Sequence, residues 1–225
     1  MSGSGRAEWD AHWSAISPRR SLFGRVASLV RRQLLSRAVR RYAERFFPSE
    51  GFVVEAGCGT AQSSGRIERG GRRPVALDFS APALREARAV PLFTGAVQAD
   101  IERLPFASAS LSGLWNLGVM EHFEADRGVR ILREFARVLR PGAHAILFWP
   151  PEFGSSRLVL APIEGVRSVL SGRPFRFFPD EVNRLRSKEH ACRLLAAAGL
   201  EVAGLEFSAR DAFIHLVVVA RRPAA

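Results

Sequence analysis

Ten residues, Phe52-Val53-Val54-Glu55-Ala56-Gly57-Cys58-Gly59-Thr60-Ala61, constrain the fold of this chain more than any others. A short apolar run ends in an acid and passes at once into two closely spaced glycines. In a parallel α/β unit that order describes a first strand feeding a first helix through a tight loop. Glycine there admits positive φ and lets a ligand reach the backbone without meeting a Cβ. Ligands of open α/β sheets bind beyond the carboxyl ends of the strands, where such a loop lies.

Alternation continues behind it. Strands are expected at Phe52–Ala56, Pro74–Asp78, Gly95–Asp100, Leu111–Asn116 and Ala143–Trp149, the last apolar throughout, as a strand covered on both faces should be. Helices are expected at Thr60–Arg69, at Ala81–Val90 with Ser80 as N-cap, and at Asp126–Leu139, stopped by Arg140-Pro141-Gly142. A helix at Lys188–Ala198 precedes two closing strands, Leu200–Phe207 and Ala212–Ala220, whose short polar link makes them an antiparallel pair. The segment 150–187 interrupts the alternation with five prolines and the cluster Phe175-Arg176-Phe177-Phe178.

Ahead of the alternating region, residues 19–47 space apolar residues helically (Leu22, Val26, Leu29, Val30, Leu34, Val39, Tyr42, Phe46) among nine arginines and one acid, Glu44. That segment is read first as a cap helix with one buried face, and second as a basic amphipathic helix that contacts a membrane surface. Trp9 and Trp13 suggest a terminal segment docked on the body or over a pocket. The formal charge of +11 would attract nucleic acid, anionic lipid or an acidic substrate. Against RNA, the phenylalanines fall in a proline-broken segment and form no sheet of stacking aromatics. Two cysteines, Cys58 and Cys192, make neither a disulfide framework nor a metal site. No run approaches the roughly 20 apolar residues of a membrane span, and no secretory signal is read, so a cytoplasmic location is expected.

Asp78 stands at the end of the second strand, 78 − 55 = 23 residues after Glu55. An acid there can accept hydrogen bonds from two vicinal ribose hydroxyls. A dinucleotide site would need a further glycine at position 62, where the chain has Gln62.

Five features in order resemble the class I S-adenosylmethionine-dependent methyltransferases, and within them the type-11 group that acts mostly on small molecules. They are the Glu55-to-Ala61 motif, Asp78, Asp100-Ile101 before Leu104-Pro105-Phe106, Asn116 through Glu121-His122, and the helix ending in Leu139-Arg-Pro-Gly142 before a strand. Two departures are visible: Ala61 replaces the usual third glycine, and Ser112-Gly113 replaces the usual acid before strand four. The resemblance implies a doubly wound, seven-stranded mixed sheet in a methyltransferase domain over residues 49–225; residues 1–48, read as an N-terminal helical cap, and 150–187, read as a lid-like insertion, rest on their own residues. The resemblance also implies S-adenosylmethionine held by Glu55, Gly57, Cys58, Gly59 and Thr60 at its methionine end. Asp78 and Phe79 would meet ribose and adenine, Asp100 and Ile101 the adenine edge, and Asn116 and Leu117 the amino-acid end. His122 is the candidate base. Trp13, Trp149, Phe175, Phe177 and Phe178 would line the acceptor side, which favours an aromatic, quinone-like or lipid-like small molecule. The alternative is a non-catalytic module of the same fold that binds the cofactor or docks RNA or membrane.

Overall fold

The computed structural model describes residues 9–11, 13, 22–155, 161–162, 164–166, 168–169, 172 and 181–224, the side chains of 22–24 and 27 excepted. The expected sheet is present. Strands β1 (Glu50–Ala56), β2 (Gly71–Asp78), β3 (Gly95–Gln98), β4 (Leu111–Leu117), β5 (Leu139–Trp149), β6 (Glu201–Phe207) and β7 (Leu216–Arg221) form one seven-stranded sheet in the order β3-β2-β1-β4-β5-β7-β6. Pairs from β3 through β5 are parallel; β7 runs antiparallel to both β5 and β6.

Helices cover both faces. α1 (Leu22–Leu29) passes through a π-helical segment, Val30–Leu35, into α2 (Ser36–Phe46). α2 buries Ala38, Val39, Tyr42 and Ala43 together with Phe148, Trp115, Val217 and Val219 of the sheet. The later half of the basic segment thus buries one face against the sheet. α3 (Ala81–Ala87) follows β2, α4 (Ala125–Val138) follows β4, and α5 (Lys188–Ala197) precedes β6. α4 presents Ile131, Leu132, Phe135 and Val138 to the larger core, with Leu114, Leu147, Trp149 and Val218.

Several local expectations change. No helix forms over Thr60–Arg69; the chain makes consecutive tight turns, with the N–H groups of Ala61, Ser64 and Ile67 donating to the carbonyls of Cys58, Ala61 and Ser64. Ser63, Ser64 and Gly65 have weak helix propensity, and Ser64 is drawn inward to bond Glu55. Pro141-Gly142 does not stop α4, which has already ended at Val138. Pairing jumps from Leu111↔Leu139 to Gly113↔His144, so the intervening residues of β5 bulge out. β7 begins at Leu216 rather than Ala212, because Ala212 and Phe213 both take left-handed φ of 57° after a 3₁₀ turn, Ala209–Asp211. Ser80 holds the N-cap position of α3 but makes no side-chain cap. Trp149 is a core residue, 1% exposed, and its indole N–H donates to the Asn183 carbonyl at 2.7 Å. Its expected place in a lid is corrected accordingly. Phe175, Phe177 and Phe178 lie outside the described residues.

The Ser112-Gly113 departure has a packing reason. A Cβ on Gly113 would stand 2.4 Å from Cδ1 of Phe47, the aromatic ring that closes α2 onto β4. Overpacking a core of this kind costs about 1–3 kcal/mol. Gly113→Ala should therefore lower stability by about that amount, read as a shift in urea midpoint at constant m-value.

Candidate functional site

The strand order brings the carboxyl ends of β3, β2, β1 and β4 side by side, and with them the expected cofactor residues. The loop after β1 is tied to the end of β2. Gly57 and Cys58 both donate their N–H to the Leu77 carbonyl, at 2.8 and 2.9 Å. The Gly59 N–H donates to Asp78 Oδ2 at 2.8 Å, and the Ser80 N–H to Asp78 Oδ1 at 2.9 Å. Each carboxylate oxygen keeps a further lone pair, so the two bonds aim Asp78 without exhausting it. Burial pushes the Asp78 carboxyl above its usual range, against the pull of these N–H groups.

Gly57 and Gly59 have φ of 74° and 50°. A Cβ on Gly57 would come 2.7 Å from Val119, and one on Gly59 within 2.7 Å of the Trp13 ring. Val119 and the Trp13 ring thus lie directly against these two glycines. Ala61 shares the left-handed conformation at φ 53°. The missing third glycine thus sits where glycine is wanted. Cys58 is buried, which pushes its thiol well up, so it fills space in the loop instead of offering a thiolate. Thr60 is half-buried on the same loop.

Glu55 lies beneath the loop. It is 2% exposed and accepts from the Ser64 hydroxyl at 2.7 Å. Burial raises its carboxyl to about 8, partly offset by Ser64 and by the neighbouring Trp115 indole. Its contact with a ligand would pass through the loop it supports.

After β3, Asp100 is exposed and its Oδ1 accepts the Glu102 N–H at 2.9 Å, while Ile101 is buried beside it. Phe79 is half-buried after β2. At the end of β4, Asn116 is fully buried and neither side-chain amide atom has a hydrogen-bond partner; Leu117 is half-buried. A buried amide in that condition calls for a partner. Gly118 then turns the chain at φ 68°, and a short 3₁₀ turn carries Met120, Glu121 and His122. Glu121 is 3% exposed, with Oε2 unpartnered and Oε1 3.9 Å from His122 Nε2. Burial, then the charge of Glu181, raises it to about 8.

The N-terminal segment crosses all of this. Trp9 stacks with Trp13 at 6.0 Å and meets His122 edge-on at 4.9 Å. Asp10 accepts the Ser80 hydroxyl at 2.6 Å. Trp13, Asp10 and Trp9 thereby reach the loops after β1, β2 and β4 respectively. Trp9 and Trp13 were both expected on the body or over a pocket; Asp10, the acid between them, was not singled out. Glu121 was visible only as half of a Glu-His pair.

An open sheet in this order, with a glycine loop on β1 and an acid ending β2, defines the class I methyltransferase architecture. Residues 54–147 match the methyltransferase domain family. A malonyl-[acyl-carrier protein] O-methyltransferase of Erwinia pyrifoliae is 39% identical over 110 residues, 48% of this chain and 40% of that protein. A probable S-adenosylmethionine-dependent methyltransferase of Mycobacterium tuberculosis is 28% identical over 151 residues, 67% of this chain and 49% of its own length. Among solved structures, magnesium protoporphyrin IX methyltransferase from Synechocystis, with bound SAH, superposes with a TM-score of 0.65 at 17% identity, covering 94% of this chain and 93% of that one. Residues 54–147 thus resemble the type-11 methyltransferase domain, and the fold is that of the class I methyltransferases. The chain spans about half or less of the length of these curated relatives.

Two measurements check this geometry. Ala61→Gly should raise stability by about 1 kcal/mol, since a left-handed non-glycine residue costs about 1–2 kcal/mol; chemical denaturation reads it directly. Glu55 and Glu121 ionise near 4.5 when unfolded and near 8 when folded. Between those values the folded state holds protons that the unfolded state has lost. Stability should therefore fall as pH rises from about 4.5 to about 8 and level off above. The Glu121→Gln variant should show a shallower decline across that window in urea titrations.

Proposed function

We propose that the chain binds S-adenosylmethionine across the ends of β1–β4 and transfers its methyl group to a small-molecule acceptor. The observation that carries this reading is Asp78, held by the Gly59 and Ser80 N–H groups at the end of β2. The residues fit the cofactor. Asp78 would accept the two ribose hydroxyls, with Phe79 beside the nucleoside and Asp100 and the Ile101 N–H at the adenine edge. Gly57 and Gly59 would let the methionine end approach the backbone, while Glu55 and Ser64 hold that loop from below. Asn116 would gain the partner its buried amide lacks.

When bound, the cofactor supplies a methyl group on a sulfonium, which a nucleophile displaces in line. Such a reaction depends on alignment, so proximity supplies much of its rate. The chain's contribution is to bind, orient and exclude water. Trp9 and Trp13 already lie across the loops and would shield the reacting atoms. Where an oxygen or nitrogen acceptor must lose a proton, His122 would take it, with the Glu121 carboxyl 3.9 Å from its Nε2.

For the acceptor, the tryptophans and the arginine-rich exterior support an aromatic, quinone-like or lipid-like molecule with an anionic group. A second reading, a carboxyl group presented on a carrier protein, draws on the name of the Erwinia relative. Incubation with methyl-labelled cofactor and a metabolite extract, with and without acyl-carrier protein, separates the two. A protein that binds cofactor yet labels nothing would leave the non-catalytic module as the answer.

Asp78→Ala should weaken cofactor binding by about 1.5–3 kcal/mol, the range for a hydrogen bond to a charged group. Calorimetry with the demethylated product reads this without turnover. An Asp78→Ala variant that binds unchanged would sink the placement.

A further inference from the structure

The basic N-terminal segment divides into two parts with different environments. α2 spends its apolar face on the sheet, as described. α1 turns large apolar side chains outward: Val26 is 51% and Leu29 60% exposed. Arg25 and Arg32 are exposed at helical spacing from them. The helix thus continues past the core it caps, and there it mixes apolar and cationic side chains on one solvent-facing side.

The π-helical segment that follows α1 packs against the 3₁₀ turn Ala209–Asp211. That turn leads straight into Phe213, 44% exposed. Phe213 lies 5.3 Å from Phe207, which meets Phe153 edge-on at 5.1 Å. Phe153 is itself 48% exposed. Ser155 fastens the same region, its N–H donating to the Phe213 carbonyl and its hydroxyl to the Ala212 carbonyl. Val26, Leu29, Phe153 and Phe213 therefore belong to one end of the molecule. It is the end where β5 finishes and β7 starts, the same end as the candidate site. Arg25, Arg32 and Arg210 border it, the last ion-paired with Glu206.

We propose that this end docks on an anionic membrane surface. Arginines attract and hold phosphate headgroups, and each cation near such a surface adds to the binding. The apolar side chains gain by entering the acyl boundary just beneath. The net charge of +11 draws the whole protein toward the same surface. An acidic protein would satisfy the arginines too. It would also need a shaped apolar socket for four side chains carried on three separate elements, whereas a bilayer imposes no shape. No helix among the described residues is long and apolar enough to cross a membrane, so the contact is with the surface. Docked in this way, the carboxyl ends of the strands face the bilayer. The docking does not depend on the methyl-transfer reading.

Cosedimentation of the full chain with sucrose-loaded vesicles tests this, using phosphatidylcholine alone or mixed with phosphatidylglycerol, at low and high sodium chloride. Binding is expected to the mixed vesicles only, and to weaken with salt. Val26→Ser/Leu29→Ser should reduce it by about tenfold or more, the scale set by withdrawing two apolar side chains from the acyl boundary. Arg25→Glu/Arg32→Glu should reduce it independently. Both variants should keep wild-type cofactor affinity and melting temperature. The proposal fails if wild type ignores mixed vesicles at low salt, or binds pure phosphatidylcholine equally. It fails equally if both variants pellet like wild type. Saturable binding of an acidic acyl-carrier protein that the apolar variant abolishes, with no vesicle binding, would give the surface to a protein instead.

Discussion

The site depends on one set of contacts, the three N–H groups of Gly57, Cys58 and Gly59 donated to the end of β2. Two go to a backbone carbonyl and the third to the Asp78 carboxylate. Together they bend the chain sharply back across the neighbouring strand, which only left-handed backbone allows. That bend explains why the positions alternate between glycine and small residues. It also explains why Asp78 is both buried and aimed. Loss of the bend would release the loop and the acid together, so the two most informative features of the site form a single mechanical unit.

Around that unit the protein keeps an unusual amount of buried polarity. Glu55 below the loop, Asn116 and Glu121 at the end of β4, and the Asp211–His215 pair at the start of β7 are all nearly or fully buried. Burial of this kind opposes folding unless partners are supplied. Asp211 and His215 supply each other, with His215 Nδ1 3.0 Å from the carboxylate, and Glu55 has Ser64. Asn116 and the outer oxygen of Glu121 do not have theirs among the described residues. Those two lie where β4 ends; Gln62 Oε1, Ser112 Oγ, Trp115 Nε1, Asn183 Nδ2 and Asp211 Oδ1 also lack a hydrogen-bond partner among the described residues. A scaffold with strands buried on both faces can carry such groups because its apolar core is extensive.

The N-terminal segment links these features to the surface. Its first described residues cross three site loops, α1 carries exposed apolar and basic side chains, and α2 is part of the core. The described parts of this segment thus touch site loops, solvent and core.

Much of this was legible in the chain. Alternating apolar runs, an acid near the end of β1 and another closing β2, and a glycine pair between them marked the strands and the loop after the first of them, because each signal is local and its spacing is fixed by one strand-helix-strand step. Alanine at 61 left open whether the position needs positive φ, and the backbone there is left-handed. Other features needed the tertiary structure. Turns replaced the helix after the first loop because Ser64 is recruited by a buried acid nine residues earlier. Trp149 joined the core because an Asn183 carbonyl, far along the chain, was waiting for its N–H. Gly113 was required by Phe47, a ring from a different element. Trp9, Asp10 and Trp13 acquired meaning only when Gly59, Ser80 and His122 came beneath them. In each case the deciding partner lies on another element, and periodicity within one segment carries no record of what will fold against it.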